Sequence, residues 1–276
     1  MTGVRQIVLL TLGWEELPKA WSVHGTDPAE RLVEPVPAVL LECDGGWLLL
    51  DTGFNPALIR DAALHRRFHG RNHGITAVLP GPGEPLEEVL DRAGVGFDMI
   101  TAVALSHLHN DHAGGIRHFA GSAPVHAQRA ELDYGLGPHP EPERHGMFRV
   151  DYDDPTIEWR LADGDVEIAP GVTAVLTAGH TPGHQSFLVE IDEAAGGGGY
   201  VFAFDAADLT ENIEEEKAIG GFIGCAPEDT LEPIRRLKAI GAERGFPVVP
   251  GHDPLVWARL TTELAERWAP TARPLA

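Results

Sequence analysis

Between Ser106 and Gly115 the chain reads Ser-His-Leu-His-Asn-Asp-His-Ala-Gly-Gly, so His107, His109, Asp111 and His112 set three imidazoles and a carboxylate close together. These are ligand types that zinc, manganese, iron and cobalt accept. In an extended segment, residues two apart face the same side, and His107 and His109 can present two ring nitrogens to one ion. A turn into a helix would then aim Asp111 and His112 at a second position, with Gly114 and Gly115 permitting close backbone approach. Solvated surface histidines are the competing account, but a run this dense directly after an apolar strand is improbable by accident. Two further segments carry the same chemistry. Thr177-Ala178-Gly179-His180-Thr181-Pro182-Gly183-His184 follows an apolar run, and Asp205 and His252 each end one. Together they make a ligand set for two divalent ions, which could lower the pKa of a bound water and polarise a carbonyl under attack.

The elements that must position these residues form a repeated pattern. Ala38–Cys43 leads through Asp44-Gly45-Gly46 into Trp47–Asp51, which reads as a hairpin whose second strand ends on a carboxylate. Phe187–Ile191 leads through a Gly-rich turn into Tyr200–Asp205 in the same manner. Each hairpin is followed by helical material and then by an apolar strand ending in histidine. A helix starts at Asn55-Pro56 and carries Leu58, Ile59 and Leu64; a second starts near Pro85 with Leu86, Val89, Leu90 and Ala93 before Gly94; the strand Ile100–His107 follows. After Asp205, helical spacing over Asp229–Ile240 precedes Phe246–His252. Continuous apolar strands imply sheets covered on both faces. The expected fold is therefore α/β, an αββα sandwich of two mixed sheets with helices outside, in which ligands at strand ends converge on one rim. A single domain over residues 1–276 is expected, built of two pattern-related halves, about 1–125 and 126–276.

Composition narrows the partners. Among 276 residues, 42 Asp and Glu oppose 21 Lys and Arg, and a formal charge of −21 repels phosphate backbones and anionic lipid heads. No nucleic acid and no membrane surface is expected; neutral, cationic or metallic partners are. Cys43 and Cys225 cannot form a disulfide framework and read as buried fillers. The run Ile7–Leu12 is too short to span a bilayer, and Gly13-Trp14-Glu15-Glu16 follows where an export cleavage site would need small residues, so a cytoplasmic protein is expected. The acidic run Glu211–Glu216 reads as a solvated face.

The motifs His107-x-His109-x-Asp111-His112, Gly179-His180-Thr181-Pro182-Gly183-His184-Gln185-Ser186, Asp205-Ala206 with Asn212 downstream, and Gly251-His252-Asp253 occur in the order of the metallo-β-lactamase superfamily. Within it, the chain resembles the quorum-quenching lactonases that hydrolyse N-acyl homoserine lactones, from about Leu9 to about Arg259. The resemblance implies a hydrolase with two divalent metal ions, zinc or else iron, manganese or cobalt. It implies that His107, His109 and His180 bind one ion, that Asp111, His112 and His252 bind the other, and that Asp205 and a hydroxide bridge them. The bridging hydroxide would attack the lactone carbonyl, Asp111 or a neighbour would shuttle the proton, and the second metal would stabilise the leaving alkoxide. Asp51 is either an acceptor for a ligand histidine's ring N–H or simply the turn residue of Asp-Thr-Gly. His184 is expected to be a hydrogen-bonded structural histidine rather than a ligand.

The chain departs from this family at one position. Where those lactonases carry a tyrosine three residues after the bridging aspartate, this chain has Asp208. A carboxylate donates a hydrogen bond only when protonated. Asp208 could act as a general acid, recognise a polar group, or be a solvent-facing loop residue. Tyr134 is the candidate substitute for the missing tyrosine. Trp14, Trp21, Phe68, Met147 and Phe148 could line an acyl groove or equally serve as core or packing surface. His24, His65, His69, His73, His118, His126, His139 and His145 are expected in surface or loop roles, with the lining of a pocket by one of them as the lesser alternative. The rival functions are a same-fold hydrolase of another lactone, ester, thioester or cyclic amide, and a mononuclear iron oxygenase. A monomer or homodimer is expected.

Overall fold

The computed structural model describes residues 3–70, 74–138 and 140–268, so His73 and His139 lie outside the described residues. Two long strands, β1 (Gln6–Pro18) and β2 (Arg31–Cys43), pair antiparallel, and β2 turns back into β3 (Gly46–Leu50). The turn is possible because Gly45 takes φ 90°, which a side chain disfavours. The strands β4 (Thr76–Val78), β5 (Ile100–Ala104), β6 (Val125–Gln128) and β7 (Trp159–Ala162) complete a seven-stranded sheet of order β4-β1-β2-β3-β5-β6-β7, parallel from β3 onward. The second sheet has five strands, β8 (Val166–Ala169), β9 (Val172–Leu176), β10 (Gln185–Glu190), β11 (Gly199–Phe204) and β12 (Val248–Pro250), in the order β12-β11-β10-β9-β8. The chain thus passes from one sheet to the other between Ala162 and Val166, later than the change of pattern near residue 125.

Alternation along the strands sorts the core into layers. Leu41, Leu48, Leu50, Phe187, Val189, Phe202 and Phe204 meet between the sheets. Leu40, Leu49 and Val103 face the opposite way, onto Leu86, Val89 and Leu90 of the helix Pro85–Ala93. Leu188, Val201 and Ala203 face Ile234 and Leu237 of the helix Leu231–Arg244. This is the expected αββα sandwich of two mixed sheets. Among the described residues no helix is long and apolar enough to cross a membrane.

Local differences from the sequence reading have simple causes. The helix expected from Pro56 through Leu64 is two short helices, Pro56–Arg60 and Ala62–Phe68, because Asp61 stays extended and caps the second by accepting from Ala63 N and Leu64 N. The strand expected to reach His107 ends at Ala104, where the chain bends over the rim. Cys43 is buried, whereas Cys225 is half-buried and its Sγ donates to Gly179 O at 3.2 Å. The acidic run is not wholly solvated: Asn212 is buried and donates to Ser22 O and Lys217 O.

Candidate metal centre

Every predicted ligand arrives at one rim from the end of a strand or the loop after it. His107 follows β5, His109 precedes the short helix Asn110–Ala113 that carries Asp111 and His112, His180 follows β9, Asp205 follows β11, and His252 follows β12. Phe204 takes φ 47° as β11 ends, and Asp51 takes φ 60° as β3 ends, so both strands leave the sheet through a left-handed residue. Such conformations are costly away from glycine and persist where the surroundings hold them. Gly114 and Gly115 do permit close approach: a Cβ on the first would collide with Asn55 N, and on the second with Thr52 O.

The predicted ligands gather into two groups. In the first, His109 Nδ1 lies 2.9 Å from His107 Nε2 and 2.8 Å from His180 Nε2. Asp205 Oδ2 closes this group, 3.4 Å from His180 Nε2 and 3.8 Å from His107 Nε2. In the second, His112 Nε2 lies 2.8 Å from Asp111 Oδ2, while Asp205 Oδ1 is 3.2 Å from His112 Nε2 and 3.1 Å from His252 Nε2. Asp205 therefore turns one oxygen to each group.

Outer partners fix the ring tautomers. Ser106 Oγ donates its single proton to Asp51 Oδ2 at 2.6 Å, so it accepts from His107 Nδ1 at 2.9 Å. His112 Nδ1 donates to Asp51 Oδ2 at 2.8 Å, His180 Nδ1 to Gly221 O at 2.8 Å, and His252 Nδ1 to Pro35 O at 2.9 Å. In the neutral rings each inward Nε2 then keeps its lone pair, the state a metal ligand requires. His109 Nε2 is buried with no hydrogen-bond partner, which leaves its Nδ1 as the useful atom.

The electrostatics fit cations. Burial pushes His107 well below its ordinary range and takes His109 down to about 3, with His112 and His180 respectively adding to the effect. Burial would lower His112 and His252 too, but Asp111, Asp205 and Asp51 around the first, and Asp205 and Asp208 around the second, raise both well above the imidazole range. Carboxylates that would hold a proton there equally suit a divalent ion, whose charge inverts the local balance. His107 Nε2 and His180 Nε2 converging on His109 Nδ1, beside a carboxylate-rich set, fit two divalent ions.

Asp51 is fully buried against Ser106 and His112, which favours the histidine-orienting alternative over a simple turn residue. His184 joins neither ligand group; its Nδ1 lies 2.9 Å from Thr177 Oγ1. Glu131 went unnoticed in the sequence. Buried on the helix Arg129–Gly135, it accepts from Leu108 N at 2.9 Å, Thr181 Oγ1 at 2.7 Å and Gly183 N at 2.9 Å. It thereby ties the loop of His107 and His109 to the loop of His180. Its only sequence signal is a carboxylate beside the apolar Leu132.

The centre opens into a cavity of about 1060 Å³. Trp21, Phe68 and Phe148 line it as expected. Trp14 does not: it is 37% exposed on β1, and its neighbour Glu15 takes the face toward the cavity. Met147 does not line it either, being fully buried in the core. Tyr134 is half-buried against that same core and is absent from the cavity wall, so it does not substitute for the missing tyrosine. His69 and His145, expected in surface or loop roles, line the wall, and burial followed by His65 pushes His69 down to about 4. Asp208 is buried in the wall beside Asp205 and His252, which removes the solvent-facing alternative. Glu15 and Glu34, cross-strand partners in β1 and β2, stand beside it; neither was singled out, because the bulge at Thr11/Gly13 that sets their register has no plain sequence mark.

Comparison with known proteins places this geometry. The family model of the metallo-beta-lactamase superfamily matches residues 31–252. The chain is 32% identical over 228 residues to N-acyl homoserine lactonase AiiA of Bacillus thuringiensis subsp. kurstaki, covering 82% of this chain and 84% of that protein. It is 31% identical over 233 residues to N-acyl homoserine lactonase AttM of Rhizobium radiobacter, covering 81% and 84%. The solved structure of an N-acyl homoserine lactone hydrolase with N-hexanoyl-L-homoserine bound at its catalytic metal centre superimposes with a TM-score of 0.79 at 29% identity, over 92% of this chain and 95% of that one.

Proposed function

The chain is a hydrolase of the metallo-beta-lactamase superfamily, and from that premise we propose that it opens the lactone ring of N-acyl homoserine lactones at a centre of two divalent ions, in first place zinc. His107, His109 and His180 would hold one ion, Asp111, His112 and His252 the other, and Asp205 both. When bound, the ions supply an ionised water near neutral pH and polarisation of the carbonyl. The single observation that carries the reading is Asp205 turning one oxygen toward each histidine group at the floor of the cavity.

The protein's own residues do the rest. Ser106, Asp51, Gly221 and Pro35 hold the rings so that four Nε2 atoms face inward. Asp111 lines the cavity beside His112 and is the group proposed to take the proton. Trp21, Phe68, Phe148 and Phe222 give an acyl chain an apolar wall, while the floor stays polar. The metal-loaded chain is expected to open N-acyl homoserine lactones, with acid release followed in a pH-stat across short and long acyl chains. No turnover of any of them would sink the reading. Asp208 favours a second reading, a same-fold hydrolase of another lactone, ester or thioester. That reading gains if the parent is a poor lactonase and Asp208→Tyr raises its turnover.

A further inference from the structure

Asp208 is held where a ligand would be. Its backbone O accepts from His252 N at 2.9 Å, and Gly251 N bonds Ala207 O at 2.9 Å, so the two ligand-bearing loops run side by side. Its side chain is 7% exposed, lines the cavity wall, and has a buried Oδ1 with no hydrogen-bond partner. A carboxylate oxygen of Asp208, one of Asp205 and a ring nitrogen of His252 lie within 4.8 Å of one another. Two ligand atoms of one ion at bond lengths of about 2.0–2.2 Å can stand up to roughly 4.4 Å apart. Asp208 Oδ1 is held by no hydrogen bond, so the carboxylate is free to turn toward an ion shared with His252 and Asp205. An unpaired buried carboxylate oxygen is otherwise costly, and no donor meets it.

We propose that Asp208 is an additional oxygen ligand of the ion at the Asp111–His112–His252 position. The inference rests on the two-ion part of the function proposed above. It makes the two positions unlike in kind. One offers three imidazoles and a single oxygen of Asp205; the other offers two imidazoles and oxygens from Asp111, Asp205 and Asp208. Carboxylate-rich sets suit harder ions such as Mn²⁺ better than imidazole-rich sets do, so the second position is the one at which a harder ion is retained. Asp208 thereby has a role that a tyrosine at the same position does not fill.

Titration of the metal-free full chain with Mn²⁺, read by the electron paramagnetic resonance of free Mn²⁺, tests this. The parent is expected to bind two ions. In Asp208→Asn one of the two should weaken at least about tenfold, the lower limit for losing even an outer partner of a metal site, and the other should stay as in the parent. Asp208→Glu should recover much of the loss, and circular dichroism melts of all three chains report whether each folds. Two unchanged affinities in Asp208→Asn, or two that weaken alike in a folded chain, would overturn the assignment. If Asp208→Asn fails to fold, Asp208→Tyr takes its place with the same outcomes. A parent that binds fewer than two ions fails the dinuclear reading itself, and the assignment falls with it. Two ions in the parent with an unaltered variant fails the assignment alone.

Discussion

The two ligand groups that share Asp205 are built and supported in different ways. The His107–His109–His180 group draws on two segments, and its outer partners are a hydroxyl on His107 and a backbone carbonyl on His180. A single carboxylate, Glu131, clamps its loops from behind. The Asp111–His112–His252 group draws on the short helix and on β12, and carboxylates surround it in layers: Asp51 behind His112, then Glu15, Glu34 and Asp208 along the cavity wall. Burial pushes Glu34 up to about 7, with Asp205 and Asp111 adding to the effect against the opposing pull of His252 and of Ser22's hydrogen bond. Two positions a few ångströms apart therefore present different fields. Imidazoles in the first are kept neutral by burial, whereas the second concentrates negative charge that only a cation or bound protons can balance.

If that contrast governs the site, the residue common to both groups is the most sensitive. Asp205→Asn removes charge from both positions at once, and hydrolysis of a lactone should fall more than the roughly 10–100-fold typical of an outer partner; steady-state rates with matched metal content measure it. Asp51→Asn should act unequally on the two. It loses the charge that meets His112 Nδ1 directly but reaches His107 only through Ser106 Oγ, so in competition against a chelator the ion beside His112 should weaken by about 10–100-fold and the histidine-rich position by less. Equal weakening of both ions would erase the distinction between the two groups.

How much of this could be seen in the sequence follows from the same contrast. His107, His109, Asp111 and His112 are neighbours in the chain, and strand and helix periodicity suffice to aim them. Asp205 and His252 are legible as candidates because each closes an apolar run, and His180 because its Gly- and Pro-containing loop follows one, and the sheets bring the ends of those runs to one rim. The two-sheet sandwich was legible for the same reason, from unbroken apolar strands. The outer residues were less so. Glu131 reaches its three donors across separations of 23, 50 and 52 residues, and nothing local marks such a contact. Glu15 and Glu34 meet through a strand register that a bulge sets, and the same register decides between the two alternatives for Trp14 by turning it away from the cavity. Tyr134 matches the missing tyrosine in chemical type alone, and its place on the helix Arg129–Gly135 packs it against the core instead.

Glu131 sharpens the contrast from the histidine-rich side. Glu131→Ala strands Leu108 N, Thr181 Oγ1 and Gly183 N together, and buried donors left unmade cost about 1–3 kcal/mol each where water does not reach them. The melting temperature of the metal-free chain should fall by about 5 °C or more, and the ion held by His107, His109 and His180 should weaken before the other. Differential scanning calorimetry and the Mn²⁺ titration read the two effects. A variant that melts lower yet loses ions evenly would mean that Glu131 supports the fold and not that position.

The effect furthest from the ions lies one layer further out on the carboxylate-rich side. Asp151 is buried, and its Oδ1 accepts from Asn55 Nδ2 at 2.7 Å while its Oδ2 has no partner. Asn55 in turn caps the helix Pro56–Arg60 and packs against Gly114, just behind His112. Burial pushes Asp151 up to about 7, against the opposing pull of Asn55 and Arg117. The sign follows from which state holds the proton. Below the unfolded pKa, about 4, both states are protonated and the stabilisation is fully present. As pH rises from there to about 7 the unfolded chain ionises first, the folded chain keeps its proton, and stability declines until the folded group ionises too. The decline is bounded at about 4 kcal/mol, and water reaching the group on relaxation lowers it. Asp151→Asn keeps the shape and removes the titration, so urea unfolding of the metal-free chain at pH 5 and pH 8 should show the variant gaining on the parent at the higher pH. Parallel profiles would mean that Asn55 alone keeps Asp151 ionised, and that the layering of carboxylates behind His112 ends at Asp51.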